Sequence, residues 1–450
     1  MIRKFISNTL KPNTFLLVGK FKEDRKKIIE KENYFQDNPE DETSSIFLGS
    51  KNDFNLSKLI STLKFIISNK ERSYQIDINS FITSKIKEEH IIKNFIYVWY
   101  EIHGKQFNLK TKKENVKLTY LLIEKFTNKF DEDILIAEQM CEIRTLQDTA
   151  PNILTINKFA NYIKNLSLNN KSIKLTILEK SEIKKIGMNL ILGVNAGSKE
   201  SAKVMILEYK GSPNSKQKTT FVGKGIMFDS GGYNLKTPGK FMLDMKYDMS
   251  GAAICVLLVD TLSKMKIKKN VSCIVPLTDN MIDSLGQLPE TILTSLSGKT
   301  VEVADTDAEG RLILADAITY AAKKMNSSLI IDLSTLTGTV IYALGKYTGA
   351  WSTKDSKWEL LEKCAKKTNE LIWRMPLNEI YLESLTKETF ADTLSCSLTD
   401  KPDSNIAAAW LNQFALGKDY IHLDIAGSAD FKSKGQAPMF KTLIEFIKNL

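Results

Sequence analysis

The sequence predicts an α/β protein: a C-terminal catalytic domain with a mostly parallel sheet covered by helices, preceded by a smaller α/β N-terminal domain. Three observations carry this expectation. From about residue 170 onward, short apolar runs alternate with helical patterns, as they do where helices cover both faces of a parallel sheet. Two acidic clusters follow such runs, and ligands of these folds collect beyond the C-terminal strand ends. Roughly the first 130 residues lack clustered glycine and any dense pattern of chemical groups.

Each element has its own signal. A first strand is expected to end near Leu16-Leu17-Val18, and Leu59 to Ile66 has helical periodicity. An amphipathic stretch from about Val116 to Leu146 reads as a connecting helix stopped by Pro151. Val204 to Tyr209 and Thr219 to Val222 read as strands, Gly251 to Leu262 as a helix, and Val271 to Val275 and Thr300 to Ala304 as strands. Leu312 to Met325 has apolar residues at helical spacing, and Ser328 to Leu333 reads as a buried strand. His422 to Ile425 is a late strand, and Met439 to Ile447 a closing helix. The division expected is 1–130 for the N-terminal α/β domain, 131–150 for the connecting helix and 151–450 for the catalytic domain.

Bulk properties exclude several classes. A chain of 450 residues can bury a large core. The net charge of +10 raises the question of nucleic acid, but the lysines are interleaved with Asp and Glu and form no basic block with aromatics. A solvated surface is the better reading, and no nucleic-acid partner is expected. No apolar run has the length of a bilayer span, so no membrane role is expected either. Five cysteines, without a CxxC pair, fit a reducing compartment, and the cytoplasm is the expected location.

The densest chemistry lies in Asp305-Thr306-Asp307-Ala308-Glu309-Gly310-Arg311-Leu312. Carboxylates crowded this closely repel unless something cationic neutralises them. An upstream segment adds Lys224, Asp229, Lys236 and Asp248. Asp229, Asp248, Asp307 and Glu309 carry four negative charges, which two divalent cations would balance. Metals roughly 3.5–4 Å apart can lower the pKa of a shared water from about 15.7 toward about 7, so hydrolysis needs no histidine base. The three histidines, His90, His103 and His422, lie far from both clusters in sequence, which argues against a histidine zinc site or a Ser-His-Asp triad. Lys224, if neutral, could be a ligand, whereas a protonated Lys236 could neutralise an oxyanion.

Several of these residues also have blander readings. Asp305-x-Asp307-x-Glu309-Gly310 with Asp316 at the twelfth position looks like an EF-hand loop, but the entering segment alternates like a strand where an EF-hand needs a helix. Gly223-Lys224-Gly225 lacks the Ser or Thr that a phosphate-binding loop has after its lysine. Asp316 reads as a helix-surface or capping residue, His422 as a satisfied core histidine, and Asp332 as structural or as a support of the site.

Val222 to Lys236, Met245 to Ala253 and Asp305 to Leu312 resemble the three signatures of the cytosolic leucyl aminopeptidase family. Further similarity runs through Arg144 to Leu154, Asp332 to Gly338, Trp373 to Leu377 and His422 to Gly427. The resemblance implies a metalloprotease of peptide turnover, a hydrolase that removes N-terminal residues, leucine and other mainly apolar ones, from peptides with a free N-terminus. It implies two divalent ions, zinc or manganese with magnesium and cobalt as further candidates, bound by Lys224, Asp229, Asp248, Asp307 and Glu309, with Asp229 and Glu309 bridging. It further implies Lys236 on the scissile carbonyl, a bicarbonate at Arg311 as general base, substrate contacts from Thr335, Leu336 and Gly338, and a homohexamer. The chain departs from the family pattern at Asp305, where Asn is usual, and at Ser250, where Gly is usual. The interval from Lys236 to Asp248 is one residue longer than in many members, and Leu394 to Ala408 lacks a glycine-rich run. The rival classes are a non-catalytic metal-binding protein on the same scaffold and a basic nucleic-acid-binding protein.

Overall fold

The computed structural model describes residues 2–24, 32–112, 117–237, 242–387, 389–399 and 402–450. The chain divides into two compact units, Met1–Glu142 and Ile143–Leu450.

The first unit is built on a six-stranded sheet, in the order Ile6–Ser7, Tyr120–Leu122, Tyr74–Asp77, Phe15–Lys20, Thr43–Phe47 and Phe35–Asn38. All neighbours are parallel except the last pair. The helix Leu56–Ile67 starts where the Asn55 side chain accepts a hydrogen bond from the Lys58 amide. With Glu88–His103 it supplies Leu63, Phe95 and Trp99 to a core shared with Leu17, Ile46 and Ile76.

The expected helix over 116–146 is shorter than its periodicity suggests. Val116 lies outside the described residues, Tyr120–Leu122 is a strand, and the helix runs Asp131–Asp148. Asp131, Glu132 and Asp133 set its start, because negative charge is favoured at the positive end of the helix dipole.

The second unit holds the larger sheet. Its strands run in the order Ile372–Arg374, Thr348–Ser352, Asp419–Asp424, Leu329–Ser334, Lys218–Gly223, Asn270–Asn280, Lys203–Lys210 and Ile173–Leu178. The four central strands are mutually parallel, and Gly225–Asp229 adds a parallel pairing to the far half of Asn270–Asn280. Antiparallel pairing appears only toward the two sides. Every residue of Leu329–Ser334 is buried, as expected of a strand with helices on both faces. The flanking helix Ser250–Lys264 is buried at every residue but Lys264, so it is enclosed on all sides rather than only along one apolar stripe. Helix Glu309–Lys323 packs Leu312, Ile313, Ala317 and Ile318 into the core with Val222, Ile274 and Ile330.

One expectation about placement needs correction. The strand read over Thr300 to Ala304 ends at Glu302 and belongs to a separate three-stranded sheet with Ile292–Thr294 and Thr393–Leu394. The downstream acidic cluster therefore does not follow a strand of the main sheet. A three-residue segment satisfies its hydrogen bonds in a local ladder, and alternation alone cannot say which sheet supplies the partner.

Candidate active site

Backbone geometry sets the first corner. Lys224 lies between Lys218–Gly223 and Gly225–Asp229; its amide donates to the Leu333 carbonyl at 3.0 Å and its carbonyl accepts from the Ala252 amide at 2.9 Å. Gly310 passes directly over its side chain: a Cβ there would stand 2.5 Å from Lys224 Cε, so a side chain at 310 would push the ammonium end out of its place. Likewise, a Cβ on Gly251 would come within 2.0 Å of the Leu333 carbonyl oxygen, which is why small residues open the Ser250–Lys264 helix.

Lys224 Nζ lies 2.8 Å from Asp248 Oδ1 and 2.9 Å from Glu309 Oε1, and it donates to the Thr335 carbonyl at 3.0 Å. Lys236 forms the other corner, 2.8 Å from Asp229 Oδ2 and 2.6 Å from Asp307 Oδ1. The structure thus brings together Lys224, Asp229, Lys236, Asp248, Asp307 and Glu309, whereas Arg311, on the first turn of the helix that begins at Glu309, pairs with Asp403 instead. Among the described residues, Asp229, Asp248 and Glu309 present oxygens within 4.8 Å of one another. Thr335 donates its hydroxyl to Asp248 Oδ1 at 2.7 Å. The Leu336 amide turns instead toward Asp424, and Gly338 is exposed at the start of helix Gly338–Leu344.

The charges are not balanced locally. Asp248 Oδ2 and both Glu309 oxygens are buried and receive no hydrogen bond; Asp307 Oδ1 and Glu309 Oε1 lie beside ammonium nitrogens but out of hydrogen-bonding direction. Burial, reinforced by Asp229, pushes Glu309 up to about 8 and Asp307 up to about 6. Burial also raises Asp248 despite the attraction of Lys224. Burial disfavours the charged form of both lysines, but the carboxylates more than offset it: Asp248, Glu309 and Asp229 hold Lys224 as an ammonium, and Asp229, Glu309 and Asp307 do the same for Lys236. A metal at the same carboxylates would reverse that influence on Lys224. Four crowded carboxylates, three of them with unmet oxygens, fit divalent cations, which accept oxygen ligands in this manner.

Sequence reasoning missed several supporting groups. Asn280, at the end of the central strand Asn270–Asn280, donates to Asp229 Oδ1 at 2.8 Å and to the Thr306 carbonyl at 3.0 Å. Its place at a strand end was the available signal. Asp403 pairs with Arg311, and Asp403 is the first residue of helix Asp403–Asn412. Nothing in the spacing of Asp403 announces this contact. Asp316 is buried, not on the helix surface, and accepts from the backbone amides of Leu190, Ile191 and Leu296, a capping role.

Two of the departures have local partners. Asp305 accepts from the Asp307 amide at 2.8 Å and caps the turn Thr306–Ala308, a bond that an Asn would make equally well; its charge adds to the repulsion on Asp307. Ser250 accepts from Gln147 Nε2 at 2.9 Å. The longer interval before Asp248 contains residues 238–241, which lie outside the described residues.

Buried carboxylates in need of cations, gathered where a parallel sheet ends, define a metallohydrolase. Residues 142–443 match the family model described as the cytosol aminopeptidase family, catalytic domain. The chain is 38% identical over 429 residues to a probable cytosol aminopeptidase of Metamycoplasma salivarium, covering 94% of this chain and 82% of that protein. It is 41% identical over 341 residues to a probable cytosol aminopeptidase of Mycoplasma genitalium, covering 75% and 76%. The chain belongs to the cytosol aminopeptidase family, and as such is a metal-dependent aminopeptidase, a metallo-exopeptidase acting on peptides. Among solved structures, the bottromycin maturation enzyme BotP in complex with Mn superposes with a TM-score of 0.85 at 22% identity, covering 97% of this chain and 99% of that one. A second BotP structure gives 0.84 at 23% identity, covering 97% and 98%. At that identity the likeness concerns the fold. Among the described residues no helix is long and apolar enough to cross a membrane.

Proposed function

We propose that this chain removes N-terminal residues, leucine and other mainly apolar ones, from peptides with a free N-terminus, using two divalent ions. Lys224, Asp229, Asp248, Asp307 and Glu309 would hold them. The observation that carries this reading is the set of buried carboxylate oxygens without donors on Asp248 and Glu309, facing Asp229. Two divalent ions there would supply Lewis-acid polarisation of the scissile carbonyl, a more acidic water and a seat for the substrate's free amine.

The protein's own groups have separate tasks. Asn280 and the Gly231 amide fix Asp229, and the Thr335 hydroxyl fixes Asp248, so that the remaining oxygens converge. Lys236 is largely buried and kept protonated by its carboxylates, so it can meet negative charge that grows on the carbonyl oxygen. Thr335, Leu336 and Gly338 would line the substrate side. Zinc and manganese are the first candidates for the ions, and the manganese of the BotP complex is consistent with the second. A bicarbonate at Arg311 would have to compete with Asp403. A homohexamer, a cytoplasmic location, and the division into a 1–130 domain, a 131–150 connecting helix and a 151–450 catalytic domain complete the proposal.

The test is metal analysis of purified protein alongside hydrolysis of leucine amide and its N-acetylated form. Two ions per chain and cleavage of only the free-amine substrate are expected. Two bound ions without turnover would favour a non-catalytic metal-binding protein, and failure to bind two ions would end the two-metal reading.

A further inference from the structure

The four candidate carboxylates are not seated alike. Asp229, Asp248 and Glu309 are buried, and their oxygens lie within 4.8 Å of one another. Asp307 stands outside that group, with its side chain 32% exposed. It sits on the short turn Thr306–Ala308 rather than inside a packed helix or strand. The residue before it is anchored instead. Thr306 is buried, and each of its polar groups has a partner across the site. The Thr306 amide donates to Asn234 Oδ1 at 3.0 Å, and the Asn234 amide donates back to Thr306 Oγ1 at 2.8 Å. The Thr306 hydroxyl donates to the Gly231 carbonyl at 2.6 Å and also lies 2.9 Å from Asn234 Oδ1. The Thr306 carbonyl accepts from Asn280 Nδ2 at 3.0 Å, the same group that bonds Asp229.

The facing loop is shaped to meet it. Gly231 and Gly232 take left-handed φ of +88° and +64°, which glycine adopts without strain. A Cβ on Gly232 would stand 3.1 Å from Thr306 Oγ1. The loop then returns so that the Lys236 amide donates to the Ser230 carbonyl at 2.9 Å. Asn234 lies just before Lys236, and Thr306 just before Asp307, the two members of the ion pair at 2.6 Å. We propose that Thr306 is a positioning residue: its reciprocal pair with Asn234 clamps the turn that bears Asp307 to the loop that bears Lys236, and so sets where the cation held by Asp307 binds. Thr306 has no polar group left to offer substrate or ion, and acts through Asp307 and Lys236. The inference rests on the two-metal aminopeptidase reading for its effect on binding and turnover, whereas the clamp itself rests on the hydrogen bonds alone.

The experiment titrates the metal-free full chain with manganese, follows the free ion by electron paramagnetic resonance, and normalises to folded protein. The wild type should take two ions. Thr306→Val keeps the shape and removes the hydroxyl. It should lose about 10–100-fold in affinity for one ion while the other stays within about threefold. At saturating manganese its kcat for leucine amide should fall by about tenfold or more, with KM within about threefold. Thr306→Ser retains the hydroxyl and should keep both ions within about threefold of wild type. Asn234→Ala, at an exposed position, breaks the pair from the other side and should weaken the same ion. It decides the matter should Thr306→Val fail to fold. A residue that merely stabilised the fold would lower the folded fraction and leave ion affinity and kcat per folded molecule unchanged. That result overturns the proposal, as does equal weakening of both ions. If the wild type binds two ions but cleaves no aminoacyl substrate, the aminopeptidase reading fails, and the two affinities still judge the clamp. If it binds fewer than two, the two-metal reading fails, and hydrogen exchange of the metal-free protein decides. The Asn234 amide should then exchange about tenfold faster in Thr306→Val than in wild type or Thr306→Ser, and equal rates overturn the clamp.

Discussion

Two buried acidic groups meet in one short segment, Thr335 to Thr337, and they are satisfied in opposite ways. On one side, the Thr335 carbonyl and hydroxyl serve Lys224 and Asp248, yet Asp248 Oδ2 and both Glu309 oxygens remain without hydrogen bonds. On the other, Asp424 accepts from the amides of Leu336, Thr337 and Ala426 and from the Thr337 hydroxyl. Asp332 pairs with His422 Nδ1 at 2.8 Å and accepts from the Tyr420 hydroxyl. Both groups are acidic and buried, but only the first has carboxylate oxygens left over. Burial of charge by itself does not mark a site; several buried carboxylates gathered together with oxygens lacking donors do.

The comparison breaks most readily at Asp332. Replacement by Ala strips His422 and Tyr420 of their shared acceptor and should cost about 3–5 kcal/mol, read by urea denaturation. Activity per folded molecule should change far less, and a selective loss of turnover would show that the network takes part in chemistry. Glu309→Gln should do the reverse. It should cut kcat/KM by about 10²–10³ while the melting temperature of metal-free protein holds or rises, because a repelled carboxylate is removed. A clear fall in that melting temperature would contradict the view that Glu309 is unsatisfied without cations.

Thr335→Val sharpens the boundary between the two groups. It removes the hydroxyl that orients Asp248 and should weaken metal affinity by about 10–100-fold, measured by competition with a chelating dye, with little change in stability. The smallest effect concerns pH. Burial lowers His422, but Asp332 and then Asp424 more than reverse this, so its folded-state pKa lies above the ordinary 6.5; Arg311 opposes them weakly. The pairing therefore contributes fully below about 6.5 and is lost as pH rises through the folded value. Stability measured upward from pH 6 should fall more steeply for the wild type than for His422→Gln. Equal slopes would mean that His422 carries no such linkage.

Much of this was readable from residues alone. Apolar runs such as Leu329 to Ile331 foretold central strands, since a strand covered on both faces need not alternate. The crowding of Asp305 to Arg311 foretold a cation requirement, because repulsion among neighbours in sequence does not depend on the fold. The strand at Thr300–Glu302 was legible as a strand but not as a member of a separate sheet. The stretch ahead of Asp131 looked helical because periodicity is blind to which face another element covers.

The sequence by itself determined the residue types of the site and the elements that bear them: Lys224 beside a strand end, Asp248 before a helix, and Glu309 and Arg311 on a helix start. Only the tertiary structure decided how they are partnered. It paired Lys224 with Asp248 and Glu309, Lys236 with Asp229 and Asp307, and Arg311 with Asp403, 92 residues away. Spacing along a chain constrains local geometry, whereas the partner of a buried charge is chosen by which distant group the packed core carries within reach of it.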